Sequence, residues 1–108
     1  MKHEITERQG ITVIALKGEV DLESSPAARK LLLESIDDAN RVLVDLSGVT
    51  YIDSSGVASL VEALQVSKKN DTGFALAAPS EPTRRVLELA RLDKVFTIHD
   101  TMDAGLAD

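Results

Sequence analysis

The chain has 108 residues, of which 44% are hydrophobic and 28% are charged, and its net charge is -6. This length and balance predict one globular domain over residues 1–108 and argue against a disordered or fibrous chain. The acidic charge, with no Trp and only two Phe and one Tyr, argues against a nucleic-acid-binding surface, which needs excess Lys and Arg and aromatic rings.

The absence of cysteine excludes disulfides, thiol catalysis and cysteine-ligated metals. We expect no cofactor and no metal. The first ten residues, MKHEITERQG, lack the apolar core of a signal peptide. No apolar run approaches the roughly 18 residues of a membrane span. These features predict a cytoplasmic protein that does not bind a membrane.

The first two segments, HEITE and ITVIALKG, predict an antiparallel hairpin. Arg8, Gln9 and Gly10 connect them, and a glycine-containing connection between two β-prone runs is typical of a hairpin. We expect the first strand to lie at the edge of the sheet, because it has only Ile5 to bury.

The segment ESSPAARKLLLESIDDAN predicts the first helix, with Ser25 as its N-cap and Pro26 in its first turn. The expected buried stripe comprises Ala28, Leu31, Leu32 and Ile36. The next segment, RVLVDLSGV, carries a continuous apolar run at residues 42–44. Such a run predicts a central strand that is covered on both faces.

The second half of the chain predicts further alternation of helices and strands. The expected inward residues of its two long helices are Val57, Leu60, Val61 and Leu64, then Val86, Leu87 and Ala90. Between these helices FALAA predicts a buried strand, and a short strand at residues 95–98 and a short helix at 101–107 follow. The order β-β-α-β-α-β-α-β-α predicts an α/β fold in which a small, mostly parallel sheet is flanked by helices.

The turn Asp53-Ser54-Ser55-Gly56 lies where a strand leads into a helix. In α/β sheets functional groups collect at this edge. One interpretation is structural, in which Asp53 or one serine caps the helix and Gly56 permits close packing. Two adjacent hydroxyls exceed what one cap requires, however, so the second hydroxyl can project into solvent.

An exposed serine at this turn suits phosphoryl acceptance better than hydrolysis. A hydrolase would need a base, for which the sequence offers only His3 and His99, and the G-x-S-x-G and P-loop patterns are absent. The first turn of a helix leaves N–H groups unpaired and carries partial positive charge, which accommodates a phosphate. The phosphate would add roughly -1.5 to -2 charges to an already acidic surface and repel a docked partner.

A second segment, GEVD, ends at Asp21, and it matters only if it shares an edge of the domain with Ser54. GEVD followed by VDLSGVTYIDSSGVASLVEAL and RVLELARLDKVFTIHD resembles, over nearly the whole chain, the STAS domain of bacterial anti-sigma factor antagonists. The resemblance implies a single STAS domain over residues 1–108 and a small mixed sheet. It also implies a switch with no catalytic residues of its own.

The resemblance assigns roles to individual residues. Ser54 would be phosphorylated by an anti-sigma factor with serine kinase activity, which supplies ATP and magnesium itself. Asp21, Asp53, Ser55 and Gly56 would border the partner-binding surface. Unphosphorylated chain would bind the anti-sigma factor and free the sigma factor, and a serine phosphatase would reverse the modification.

The sequence departs from the family pattern at Arg91 and Ala58, where family members usually or often have glycine. At Arg91 we expect a different backbone path before the last strand. Two other functions stay open. The chain could be a stand-alone STAS subunit that binds a transporter ATPase or signalling assembly without phosphorylation, or a nucleotide-binding or hydrolytic enzyme.

Overall fold

A computed structural model describes residues 1–107. The strands are β1 (Lys2–Arg8), β2 (Ile11–Val20), β3 (Arg41–Ile52), β4 (Gly73–Ala77) and β5 (Ile98–His99). The helices are α1 (Ser25–Asp38), α2 (Ser54–Lys69), α3 (Glu81–Leu89) and α4 (Met102–Ala107). The predicted element order and the α/β class are confirmed.

The five strands form one sheet in the order β1-β2-β3-β4-β5. The β1–β2 hairpin is antiparallel, as predicted, and the other neighbours pair in parallel. Gln9 and Gly10 turn the hairpin with φ of 56° and 78°. β1 lies at the edge, but the expected burial of Ile5 is wrong, because every residue of this strand is exposed.

Two layers of helix cover the sheet. α1, α2 and α3 pack on one face, over a core that includes Val42 and Val44. On the other face α4 packs its Leu106 against Leu43. Three consecutive residues of β3, Val42, Leu43 and Val44, are fully buried. This confirms the prediction of a central strand covered on both faces.

α1 begins one residue earlier than predicted. Its N-cap residue is Ser24, whose carbonyl accepts a hydrogen bond from the Ala28 N–H at 3.0 Å. Ser25 therefore belongs to the first turn and is not the cap. The predicted stripe is buried at Ala28, Leu32 and Ile36, whereas Leu31 is half-buried.

The end of α3 also differs from prediction. α3 ends at Leu89, so Ala90 is an exposed C-cap residue instead of an inward-facing one. The chain is still turning at residue 95, because the Val95 and Phe96 N–H groups both donate to the carbonyl of Leu92, at 3.0 and 3.1 Å. The last strand consequently starts at residue 98.

Arg91 follows the backbone path that glycine favours. Its φ is 60°, in the left-handed region. The Leu92 N–H donates to the Leu87 carbonyl at 2.8 Å and the Arg91 N–H to the Glu88 carbonyl at 3.0 Å, the two bonds of a Schellman C-cap. The expectation that arginine alters the path of this turn is wrong. The arginine adopts the turn at a conformational cost of about 1–2 kcal/mol.

Replacing Arg91 tests whether its left-handed backbone conformation is strained. We expect Arg91→Gly to raise the free energy of unfolding by about 1 kcal/mol, because glycine adopts positive φ without steric cost. Arg91→Ala is the matched control: it removes the same side chain but keeps the strain, so it gains nothing. Urea unfolding of the three proteins measures the difference, and an Arg91→Gly variant no more stable than Arg91→Ala would contradict the assigned strain.

Candidate functional site

Adjacent strand ends bring the two predicted motifs together. Val20, the last residue of β2, pairs in register with Ile52, the last residue of β3. The Asp53 N–H donates to the Val20 carbonyl at 3.3 Å. Because both strands run in the same direction, Asp21 and Asp53 leave the same edge of the sheet. GEVD and the DSSG turn therefore share that edge.

The carboxylate of Asp53 joins two segments. Its Oδ1 accepts hydrogen bonds from the N–H groups of Ser55 and Gly56, at 2.9 and 3.1 Å. Its Oδ2 accepts from the Leu22 N–H at 3.1 Å. One oxygen thus caps α2, in the usual N-cap manner, while the other fixes the loop between β2 and α1.

The carboxylate of Asp21 organises that same loop. Its Oδ1 lies within hydrogen-bond distance of the Glu23 N–H, the Ser24 N–H and the Ser24 hydroxyl, at 3.1, 3.1 and 3.0 Å. These bonds, that of the Ser24 N–H above all, hold the pKa of Asp21 below its usual value. The carboxylate remains charged while it shapes the loop.

The two serines of the turn have different surroundings. Ser54, the first residue of α2, is exposed, and within residues 1–107 its hydroxyl makes no hydrogen bond. Ser55 is half-buried, and its carbonyl accepts from the Ser59 hydroxyl at 3.2 Å. Since Asp53 is the cap, neither serine hydroxyl is needed for that role. The Ser54 hydroxyl faces solvent.

The position of Gly56 has no room for a side chain. It is buried, and a Cβ placed on it would lie 2.5 Å from the Val20 carbonyl oxygen and 2.8 Å from Cγ1 of Ile52. Any side chain would push α2 away from the ends of β2 and β3. This glycine therefore shapes the site from beneath and offers no side chain to a partner.

An open groove of about 630 Å³ runs from Ser54 between α2 and α3. Its lining comprises Ser54, Val57, Ala58, Val61, Glu62, Gln65, Val86 and Ala90. The lining is mostly apolar. Glu62 is held by Arg29 of α1 through an Nη2 to Oε2 contact of 2.6 Å, and this hydrogen bond lowers the pKa of Glu62.

A second depression, of about 580 Å³, lies on the other side of Asp53. Its lining comprises Asp21, Leu22, Glu23, Tyr51 and Asp53. Leu22 and Tyr51, which are 73% and 51% exposed, were not predicted from the sequence. No periodic pattern signals them, because one lies in a loop and the other near a strand end.

The two histidines lie at opposite edges of the sheet. His3 belongs to β1 and His99 to β5, whereas Ser54 follows the central strand β3. In residues 1–107 no group of three or more His, Asp or Glu residues is placed to hold a metal ion. None of the helices in that range is both long enough and apolar enough to cross a bilayer.

Comparisons with known proteins point to one family. A sequence model of the STAS domain matches residues 2–105. The anti-sigma-F factor antagonist RsfB of Mycobacterium tuberculosis is 27% identical over 103 residues, which cover 94% of this chain and 84% of the relative. The anti-sigma-B factor antagonist of Bacillus subtilis is 25% identical over 93 residues, 86% of this chain and 85% of that one.

A solved structure supports the same family. The crystal structure of an anti-sigma factor antagonist from Mycobacterium paratuberculosis superposes with a TM-score of 0.90 at 29% identity. The alignment covers 98% of this chain and 91% of the other. The fold at the site is therefore shared with a protein of that description.

Removing the carboxylate of Asp53 tests whether it joins the β2–α1 loop to the first turn of α2. We expect Asp53→Ala to lower the free energy of unfolding by about 1–2 kcal/mol, because the first turn of α2 loses its cap. The amides of Leu22, Ser55 and Gly56 should all exchange faster with solvent deuterium. Urea unfolding and NMR-detected hydrogen exchange measure the two effects.

Asp53→Asn separates the two halves of the bridge. Asparagine still caps a helix through its oxygen, but its amide nitrogen cannot accept the Leu22 N–H. We expect the Ser55 and Gly56 amides to stay protected while the Leu22 amide exchanges faster. An unchanged Leu22 amide in Asp53→Asn, or wild-type stability in Asp53→Ala, would contradict the bridge.

Proposed function

The chain belongs to the STAS domain family, and we propose that it is an anti-sigma factor antagonist controlled by phosphorylation of Ser54. Unphosphorylated, it binds a kinase-type anti-sigma factor and so releases the sigma factor; phosphorylated, it does not bind. A serine phosphatase restores the binding form. The observation that carries this proposal is the exposed Ser54 hydroxyl, which no hydrogen bond engages within residues 1–107.

The geometry favours Ser54 over Ser55 as the acceptor. An external kinase must bring the γ-phosphate of ATP to the serine oxygen, where the new O–P bond forms and ADP departs. Ser54 is exposed at the start of α2, whereas Ser55 is half-buried. The adjoining N-terminus of α2 favours negative charge. The chain itself serves only as the acceptor, so the kinase supplies the base and the metal.

The groove beside Ser54 explains how one phosphate can abolish binding. Its apolar lining, which includes Val57, Val61 and Val86, suits apolar side chains of a partner. A phosphate on Ser54 would stand at the rim of this groove and need its water shell. A docked partner would remove that water, and removing water from a charged group costs several kcal/mol.

The negative charge of the phosphate also weakens binding where acidic groups of the two proteins meet. The phosphate adds roughly -1.5 to -2 charges, next to Asp53 and in a groove that also contains Glu62. These groups all belong to this chain, so the added charge opposes docking where the partner presents acidic side chains to the groove, because like charges brought together across an interface cost several kcal/mol. Since each 1.4 kcal/mol is tenfold in affinity, these effects together are large enough for a switch.

In this proposal the other predicted residues act by shaping the surface. Asp21 and Asp53 border it and hold the β2–α1 loop through hydrogen bonds of 3.1 Å from backbone N–H groups, and Asp53 also caps α2. Ser55 and Gly56 form the first turn of α2, and Gly56 allows that turn to approach β2 closely.

Two substitutions of Ser54 test the switch. We expect Ser54→Ala to bind the kinase-type anti-sigma factor of its host with wild-type affinity, and to keep that affinity after incubation with ATP. Ser54→Asp should bind at least about tenfold more weakly, because a single carboxylate imitates part of the phosphate charge. Isothermal titration calorimetry with the purified partner, before and after ATP, gives both affinities.

Ser55→Ala is the matched control and should still lose affinity after ATP. Loss of the ATP effect in Ser55→Ala, or wild-type affinity of Ser54→Asp, would refute Ser54 as the switch. Pull-downs from the native host with wild type and Ser54→Asp address the competing function. If both recover a transporter ATPase equally and neither recovers an anti-sigma factor, the chain is a transporter subunit instead.

A further inference from the structure

Two exposed apolar side chains lie together beside the Ser54 turn. Leu22 is 73% exposed and Tyr51 is 51% exposed, and both line the 580 Å³ depression next to Asp53. Single exposed apolar residues are common and need no explanation. Among residues 1–107, two of the five large exposed apolar side chains share this one depression at the edge of the proposed binding surface.

The loop that carries Leu22 is held in place. The Leu22 N–H donates to Oδ2 of Asp53 at 3.1 Å, and the next two N–H groups donate to Oδ1 of Asp21, both at 3.1 Å. Tyr51 belongs to β3 and pairs in register with Glu19. Both side chains are presented from fixed backbone, so a partner that contacts them has little chain ordering to offset.

The charges around Leu22 and Tyr51 indicate which kind of partner surface is complementary to them. The three remaining lining residues, Asp21, Glu23 and Asp53, are all acidic, and no residue of the lining is basic. An apolar pair surrounded by carboxylates is complementary to an apolar contact surrounded by Lys or Arg. The groove on the Ser54 side of Asp53 is mostly apolar. The groove and the Leu22–Tyr51 depression therefore differ in chemistry.

We propose that Leu22 and Tyr51 are the anchor residues by which this face selects its protein partner. The partner contributes an apolar side chain that packs between them, flanked by basic residues that face the three carboxylates. This inference rests on the proposed function and adds its specificity determinant: Ser54 decides when binding occurs, and the Leu22–Tyr51 pair decides which anti-sigma factor is bound.

The chain supplies a matched control. Leu89 is 80% exposed at the end of α3 and does not line the Leu22–Tyr51 depression. Leu22→Ser and Leu89→Ser make the same chemical change at two exposed leucines. Tyr51→Ser tests the other half of the pair. Thermal unfolding of each variant confirms that it is folded before binding is measured.

The experiment measures association and dissociation rates of the unphosphorylated proteins with the kinase-type anti-sigma factor. We expect Leu22→Ser and Tyr51→Ser each to weaken binding at least about tenfold, mainly through faster dissociation. Leu89→Ser should bind like wild type. Added salt should slow association of all four proteins in parallel, because the carboxylates remain in each.

Phosphorylation separates failure of this inference from failure of the proposed function. At saturating kinase, Leu22→Ser should still accept phosphate on Ser54, since the acceptor is untouched. If wild type binds and is switched off but Leu22→Ser binds equally well, the anchor is refuted and the switch survives. If wild type neither binds the kinase-type anti-sigma factor nor accepts phosphate, both are refuted.

Discussion

The carboxylate of Asp53 is the interaction on which the site depends. One side chain accepts three backbone N–H groups from two segments that are far apart in sequence, at 2.9, 3.1 and 3.1 Å. It caps α2 by accepting N–H groups of the first turn that have no partner within the helix, and it fixes the loop after β2. Parallel pairing of β2 with β3 is the precondition, because it places Val20 beside Ile52 and so puts both segments at one edge.

The proposed function depends on what this carboxylate leaves free. Because Asp53 satisfies the first N–H groups of α2, Ser54 occupies the start of the helix with its hydroxyl in solvent. Gly56 allows the same turn to lie close against β2. The result is an exposed serine between an apolar groove and an acidic depression. Such a surface suits a partner that docks and modifies the same place.

Local patterns in the sequence predicted the element order, the hairpin and the buried central strand, because each depends on neighbouring residues. They failed where a helix end was set by its cap: Ala90 follows the end of α3, and Arg91 adopts the backbone of a glycine. The cap of α2 was left open among Asp53 and two serines, since only the fold shows which group receives the N–H bonds. Leu22 and Tyr51 had no signal, because their proximity arises from strand pairing and the loop.

Mapping the phosphorylated residue tests the central claim most directly. Wild-type protein is incubated with ATP and the kinase-type anti-sigma factor that is proposed as its partner, and the modified residue is identified by fragmentation mass spectrometry. The exposed, unengaged hydroxyl at the start of α2 predicts one phosphate, on Ser54. Phosphate on Ser55 or on another serine, with Ser54 unmodified, would contradict the account.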